Sequence, residues 1–419
     1  MKIIADLHLH SRFSRATSKN LNIENLEKYA RIKGINLLGT GDITHPEWIK
    51  ELKKELTEDG SGILKSKSGF DFVLQGEISN IYTQDGKGRR IHNIILAKSF
   101  DVVDQIQEAL LKKGRLDYDG RPIFGFSCVE LVEMLKQIDE KIEIIPAHAW
   151  TPWFSLFGSM SGFDSVKECF KDQTKHIYAI ETGLSSDPSM NWRLSQLDKY
   201  TLISNSDAHS FWPWRIGREV NIFDIELKYD ELLGAIRKKK GFLETIEVNP
   251  NYGKYHLDGH RACDVCFEPK ESLKNKNICP KCKKSLTIGV LHRVEELADR
   301  EDNFKPKNAI PFKSLIPLSE ILAELLGSSI ATQKTWKEYN NLLSNFESEF
   351  DILLNAQLEE LKKYTSETIA KTIIKNRTGE IEIKPGYDGV YGQPVFSNKS
   401  IIIKNNTKKE KVQKSLSDF

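Results

Sequence analysis

Two histidines at alternate positions, His8 and His10, close the first apolar run of the chain in the stretch IADLHLHSRF, with Asp6 just before them. Along a strand, residues i and i+2 leave the same face. A strand end reading His-x-His therefore offers two imidazoles to one point, the arrangement that grips a cation. Other apolar runs end in the same manner. GTGDITH carries Asp42 and His45, FDFVLQGE ends at Glu77, and RIHNIILA carries His92. IEIIPAHA ends at His148, and TLISNSDAH carries the alternate pair Asp207 and His209. Neutral imidazole and carboxylate are the usual ligands of catalytic zinc and manganese. Glu77, with two oxygens, can bridge two such ions while histidines fill each shell and leave a position open for water. Singly, each residue has an ordinary role: His92 can be a packed core histidine and Asp42 a helix cap. Nine nitrogen and oxygen donors spread over six separate apolar runs are better explained together, as a centre of clustered divalent ions.

Donors so far apart in the chain need a scaffold that gathers strand ends. Over the first ~245 residues, short β-rich runs alternate with amphipathic stretches such as IENLEKYARIKG and CVELVEMLKQIDEK, the pattern of repeated βα units. This predicts an α/β fold with a parallel sheet closing into a barrel, whose C-terminal strand ends share the mouth where active sites sit. At 419 residues, 39% hydrophobic and 29% charged, the chain has material for such a unit and smaller domains besides. Its formal net charge is only +2, so affinity for nucleic acid has to come from local patches. No apolar run is long enough to span a bilayer, and MKIIADLHLH lacks the apolar core of a signal peptide. No membrane association and a cytoplasmic location are expected.

Four of the six cysteines form the segment CDVCFEPKESLKNKNICPKC, with Cys263, Cys266, Cys279 and Cys282 in a C-x2-C-x12-C-x2-C spacing. Two such knuckles are the signature of a tetrahedral structural zinc, a closed site that serves folding. Four thiolates complete the shell, which leaves no place for the nearby His256 and His260. Cys128 and Cys169 stand alone in apolar surroundings and read as core thiols. The pattern then turns helical from SLIPLSEILAELLG onward, passes through the β-prone GEIEIKPGYDGVYGQPVFSNKSIIIK, and ends in a polar, Lys-rich tail. Expected divisions are a barrel over 1–250, a zinc module over 251–292, a helical domain with a short β segment over 293–403, and a tail over 404–419.

The series D-x-H-x-H, T-G-D, G-E, H-N, P-A-H and S-D-A-H resembles the PHP phosphoesterase superfamily, which implies a distorted (βα)7 TIM-like barrel holding two to three divalent metals (Zn, Mn or Mg). Carried over by position, the resemblance implies one metal on His8, His10, Glu77 and Asp207, and a second on Glu77, His92 and His148. A third would sit on His209 with Asp42 or His45. The chain departs from the common pattern where SRFSRATS lacks a further histidine and where TGDITH replaces T-D-H.

A PHP barrel followed by this cysteine module and a helical region with GVLHRVEELADR and KPGYDGVYGQPVF is similar to the endonuclease Q family over nearly the whole chain. That resemblance implies a DNA repair enzyme that cuts on the 5′ side of deaminated bases (uracil, hypoxanthine, xanthine) and of abasic sites. His8, His10, Glu77 and Asp207 would then serve catalysis through the metals, with no serine or cysteine nucleophile required. The loops AWTPWFSLFGSMSGF and SFWPWRIGRE are compatible with this activity. Trp150, Trp153, Phe154, Trp212 and Trp214 are candidates to hold an extracted base, and Arg215 and Arg218 to meet phosphate. The terminal QKSLSDF, with Gln413, Leu416 and Phe419, resembles a sliding-clamp-binding peptide. Two competing readings are a small-molecule phosphoesterase of the histidinol-phosphate type and a non-cleaving DNA damage-binding protein.

Overall fold

The computed structural model of the chain describes residues 1–396; the clamp-peptide residues Gln413, Leu416 and Phe419 lie outside that range. Seven strands form the ring that positions the site: Lys2–Asp6, Leu37–Gly39, Asp71–Gln84, Lys87–Ala97, Glu143–Pro146, Ala179–Glu181 and Thr201–Ile203. The first three pair in parallel. Asp71–Gln84 and Lys87–Ala97 then form a long antiparallel hairpin, and Lys87–Ala97 pairs antiparallel with Glu143–Pro146. Ala179–Glu181 and Thr201–Ile203 pair in parallel. The ring closes beyond the strand ends: Ala149 N–H donates to the Glu181 carbonyl (3.0 Å), His10 N–H donates to the Ala208 carbonyl (3.1 Å), and Leu9 bridges to Ala208.

The expected all-parallel order therefore fails at one strand. Asp85 and Gly86 both adopt positive φ (53° and 72°), the two-residue turn whose twist suits a tight hairpin. This reversal sets Ser79 opposite His92. Glu77, two residues before Ser79 on the same face, becomes a diagonal neighbour of His92, close enough for their side chains to meet.

Ile3, Ala5, Leu7, Val73, Ile94, Leu96, Ile145, Ala147, Ala179 and Ile203 fill the interior. Helices Ile23–Lys33, Pro46–Glu55, Phe100–Leu111 and Cys128–Ile138 cover the outside. Three of them start on side-chain caps, Asn22, Ser99 and Ser127, the last with a capping box to Glu130. Cys128 and Cys169 are buried free thiols, as core residues would be. Strands Val220–Asp224 and Phe242–Glu247 extend the sheet from the first strand. Phe312–Ser314, from the segment expected to be helical, adds to that edge in parallel.

Beside these strands two carboxyls, Glu219 and Glu247, are wholly buried. Glu247 accepts from the hydroxyls of Ser204, Thr245 (2.5 Å) and Thr182 (3.1 Å), while Glu219 Oε2 has no partner. Burial pushes Glu247 up to about 7 and, together with the neighbouring Glu247 charge, raises Glu219 well above the carboxylate range. A carboxyl whose folded pKa is raised holds a proton that the unfolded chain releases, so its stabilisation is full below the unfolded value and is lost as pH rises through the folded one, which for Glu247 is about 7. Glu219→Gln, which needs no proton, is expected to melt a few degrees above wild type at pH 8 and level with it at pH 5. Thermal melts at the two pH values check this.

The cysteine segment folds as a short hairpin, Asp258–His260 with Val265–Phe267, and the helix Pro269–Lys274. The donors that come within 4.8 Å of one another are His260, Cys263, Cys279 and Cys282, whereas Cys266 is exposed and stands outside the group. The register gives the reason. His260 pairs with Val265, so Cys266, one residue on, faces the opposite side of the hairpin. Helices Leu318–Leu325, Gln333–Leu343, Glu349–Leu354 and Glu367–Arg377 make up most of the helical region, and Glu382–Lys384 pairs antiparallel with Gln393–Val395. The helical region meets the barrel closely. Gly34, at φ 94°, ends the first helix where a Cβ would lie 2.5 Å from Ser348 Oγ. Among the described residues, no helix is long and apolar enough to cross a membrane.

Candidate metal centre

The first strand stops at Asp6, yet the chain stays paired at Leu9, which carries His8 and His10 on to the mouth. Asp6 does not join them. Its carboxylate accepts the N–H groups of Ser206 (3.1 Å) and Gly217 (2.8 Å), pinning both ends of the segment that holds Asp207 and His209.

His8, His10 and Asp207 form one close group of donors, and Glu77, His92 and His148 form a second. Glu77 connects the two. Its Oε2 lies 3.4 Å from His10 Nε2 and 3.7 Å from His8 Nε2. Its Oε1 lies 2.9 Å from His92 Nδ1 and 3.2 Å from His148 Nε2. Asp207 Oδ1 is 3.0 Å from His10 Nε2 and 3.6 Å from His8 Nε2.

These spacings fit a metal. Two ligands each about 2.0–2.2 Å from one cation stand about 3–3.6 Å apart. His8 Nε2 is buried without a hydrogen-bond partner while it faces two carboxylates, and a cation between them would satisfy all three. Asp42, His148 and Asp207 have positive φ (45°, 31° and 47°), the kind of backbone strain that surrounding structure sustains at functional sites.

Electrostatics point the same way. Burial alone would raise Glu77, but His92, Arg121, His10 and His148 hold it well below the usual carboxylate range. Asp207 is held low against burial by His8, His10 and His209. Burial opposes charge on His8 and His10, yet Glu181, Asp207 and Asp42 raise both well above an ordinary imidazole. His92 is pushed down to about 3 by burial, against the pull of Glu77. The negative charge facing His8 and His10 is what a bound cation would neutralise.

Two groups at this site have no place in the sequence reading. Glu181, at the end of the sixth strand, accepts from His8 Nδ1–H (3.0 Å), His148 N–H (2.7 Å) and Asn205 Nδ2 (2.9 Å). A carboxylate on the far nitrogen fixes a ligating imidazole's tautomer and orientation. Its signal was available: AIETG ends a strand just as QGE does. Arg121 donates from Nη1 to Glu77 Oε2 (3.0 Å), and its side chain is 25% exposed where Glu77 is wholly enclosed. It lies in a loop without periodicity, where nothing in the sequence marks it.

The expected third metal is not assembled. Asp42 spends Oδ1 on His10 Nδ1 (3.0 Å) and Oδ2 on Ser11 N–H (2.6 Å) and Ser14 Oγ (2.9 Å); it is to His10 what Glu181 is to His8. His45 stacks on Phe13, with ring centroids 4.3 Å apart. His209 lies beside Asp207, 3.6 Å from its Oδ1, at the edge of the first group. Among the described residues, no third barrel group of three donors comes together.

The loop residues divide. Trp150 is a core residue, not a base platform: it is buried against Phe157 and donates Nε1–H to Asn191 (2.8 Å). Trp212 and Trp214 stack on each other (5.2 Å) and clasp Trp336 of the helical region at 5.9 and 5.7 Å, so they join barrel to helices. Arg218 is committed to Glu320 (3.2 Å). Arg215 is half-buried and pairs with no carboxylate among the described residues; burial and the neighbouring Arg218 lower its pKa. Phe154 packs on the His92 ring (4.8 Å), and Trp153 next to it is 36% exposed.

A seven-strand α/β barrel that brings two imidazole–carboxylate groups, joined through one glutamate, to its mouth defines a class of α/β barrels with a candidate metal centre. The comparisons narrow that class. The lesion-specific endonuclease PfuEndoQ of Pyrococcus furiosus superposes with a TM-score of 0.85 at 32% identity, over 94% of this chain and 95% of that one. An endonuclease Q complex with a 27-mer duplex substrate, an abasic lesion at its active site, matches at TM-score 0.85 and 32% identity, over 97% and 100% of the two chains. The chain belongs to the endonuclease Q family. The uncharacterised protein MJ0043 of Methanocaldococcus jannaschii is 35% identical over 263 residues, which is 61% of this chain and 32% of that protein's length. Residues 317–380 match the family described as the MJ0043 C-terminal domain.

Proposed function

We propose that this chain is a DNA repair endonuclease that hydrolyses the phosphodiester on the 5′ side of abasic sites and of deaminated bases (uracil, hypoxanthine, xanthine). The observation that carries the reading is the end-to-end likeness to a structure with an abasic lesion at its active site. The chain's own donors, gathered at one barrel mouth, support it.

His8, His10, Asp207 and Oε2 of Glu77 would hold one cation, and His92, His148 and Oε1 of Glu77 a second. Bound there, such ions lower the pKa of a coordinated water and offset charge on the phosphate and on the leaving 3′ oxygen. Around them, Glu181 and Asp42 orient the two leading imidazoles, and Arg121 offers a cation at the open side where a phosphate would enter. Phe154 and Trp153, on a loop anchored to His92, are positioned to hold a base taken out of the stack. Arg215 is free to meet a phosphate. Cys263, Cys266, Cys279 and Cys282, with His260 close beside three of them, would hold a structural zinc that fixes the module's fold.

The test is incubation with Mg, Mn or Zn and duplexes carrying one abasic site, uracil or hypoxanthine, beside a chromogenic phosphate monoester. Nicking 5′ of the lesion with little monoester turnover is expected. Monoester hydrolysis without nicking would instead identify a small-molecule phosphoesterase, and a gel shift without nicking a damage-binding protein.

A further inference from the structure

The zinc module and the C-terminal hairpin bring three aromatic or cationic side chains to the barrel rim that the mechanism does not use. The hairpin is laced to the start of the module backbone to backbone. Gly386 N–H donates to Asn251 O (2.9 Å), Gly389 N–H to Lys254 O (2.8 Å) and Gly392 N–H to Tyr252 O (3.1 Å). A Cβ on Gly392 would stand 2.0 Å from Asn251 O, so the lacing requires glycine there. It fixes Tyr391, 54% exposed, beside Lys254, whose Nζ lies 5.6 Å from the Tyr391 ring centroid and 5.7 Å from that of Tyr255. Tyr255 in turn meets Trp153 edge to face, at 5.9 Å and 72°.

Trp153 ties this row to the metals. Its loop springs from His148, with Thr151 N–H on the His148 carbonyl (3.3 Å), and is fastened where His92 N–H donates to Phe154 O (3.1 Å). The row Trp153–Tyr255–Lys254–Tyr391 thus leads outward from the second donor group and joins three parts of the chain. Packing alone does not explain it, because the rings at its two ends, Trp153 and Tyr391, are exposed while Lys254 and Tyr255 between them are half-buried. Nor does a surface ion pair: among the described residues Lys254 pairs with no carboxylate. Of the acids on the hairpin and module, Asp264 accepts from Tyr387 OH (2.7 Å), and Asp388 accepts from Thr287 Oγ1 and Arg261 N–H (2.6 Å each). Open rings with an unneutralised ammonium between them match the two faces of an unpaired nucleotide, a base to stack and a phosphate to neutralise.

We infer that Trp153, Tyr255, Lys254 and Tyr391 form a platform for an unpaired stretch of DNA strand running away from the scissile bond. The inference rests on the endonuclease reading and deepens it. The platform gives the zinc module a second task, which is to hold Lys254 and Tyr255 in line with the barrel rim.

The test uses the full chain and a fluorescein-labelled, lesion-free oligothymidylate, which offers bases to stack and no lesion to cut. Fluorescence anisotropy is expected to show Tyr391→Ala binding about 5- to 100-fold more weakly than wild type, and Tyr391→Phe binding like it. Lys254→Ala is expected to lessen the slope of log affinity against log salt by about 0.7. Hydrolysis of bis(p-nitrophenyl) phosphate, small enough to reach the mouth directly, should be unchanged in all three, as should zinc content. If Tyr391→Ala loosens the hairpin, as a drop in melting temperature would reveal, the salt slope of Lys254→Ala decides. Wild-type affinity and slope in both alanine variants, with nicking of abasic duplexes by wild type intact, would overturn the platform alone. Absence of both nicking and oligonucleotide binding in wild type would overturn the endonuclease reading and the platform with it.

Discussion

Glu77→Gln is expected to cut nicking of an abasic duplex by at least about 10³-fold while the barrel stays folded. Glu77 faces both donor groups: Oε2 lies toward His8 and His10, and Oε1 toward His92 and His148. Glutamine keeps the volume but removes the charge, and it turns an NH2 toward imidazoles that need an acceptor or a shared cation. Both barrel metals should therefore be lost together. His8→Ala or Asp207→Ala, by contrast, touches only the first group, so metal analysis should show a partial loss although nicking also fails. Elemental analysis of the purified variants beside gel-resolved nicking in metal-buffered solution distinguishes these cases. A Glu77→Gln protein that nicks like wild type, or that keeps its full barrel metal complement, would remove the bridging role from the scheme.

His8, His10, His148 and Asp207 were legible in the sequence because each follows an apolar run, and strand ends converge in a barrel. Glu77 closes such a run in sequence but lies in the middle of the longer strand Asp71–Gln84. His92 reaches the site by a route that its sequence does not show. Its strand runs antiparallel, and it reaches the site because the Asp85-Gly86 turn sets it diagonally across from Glu77. Asp42 was read as a ligand because residue type and position do not say which neighbour takes a carboxylate's oxygens; His10, Ser11 and Ser14 take them here. Aromatic residues misled most. A tryptophan in a loop beside a ligand can face substrate or protein with the same local sequence, and here Trp150 is buried while the half-buried Trp212 and Trp214 pack on Trp336, distant in the chain. The cysteine module was legible from spacing alone, whereas the approach of His260 to Cys263, Cys279 and Cys282 follows from the hairpin fold and is not marked in the spacing.

Glu349→Ala is expected to destabilise the chain by about 3–5 kcal/mol, the cost of leaving its buried partner charge uncompensated. Lys33, at the end of the first barrel helix, places Nζ 2.7 Å from Glu349 Oε1 with both side chains essentially inaccessible to water. Tyr339 OH donates to the other oxygen of Glu349 (2.6 Å), and Leu318 N–H donates to Oε1 (3.0 Å). The network thus ties three helices of the C-terminal region to the barrel. Its sign is decided by which partner remains. Removing Glu349 strands an ammonium in an apolar seam, whereas replacing both, as in Lys33→Met/Glu349→Leu, removes the charges together and is expected to recover much of the loss. Lys33 also donates to the carbonyl of Pro213 (2.8 Å), inside the segment that Asp6 pins at Ser206 and Gly217. That segment carries Asp207, so Glu349→Ala should also weaken metal retention in the first donor group, although Glu349 lies in another part of the chain. Denaturant titration of the single and double variants measures the first effect, and metal titration the second. If Glu349→Ala unfolds within about 1 kcal/mol of wild type, the range of an ordinary surface pair, the seam is not held by this charge. If stability falls but metal retention does not, the Pro213 contact is not what steadies Asp207.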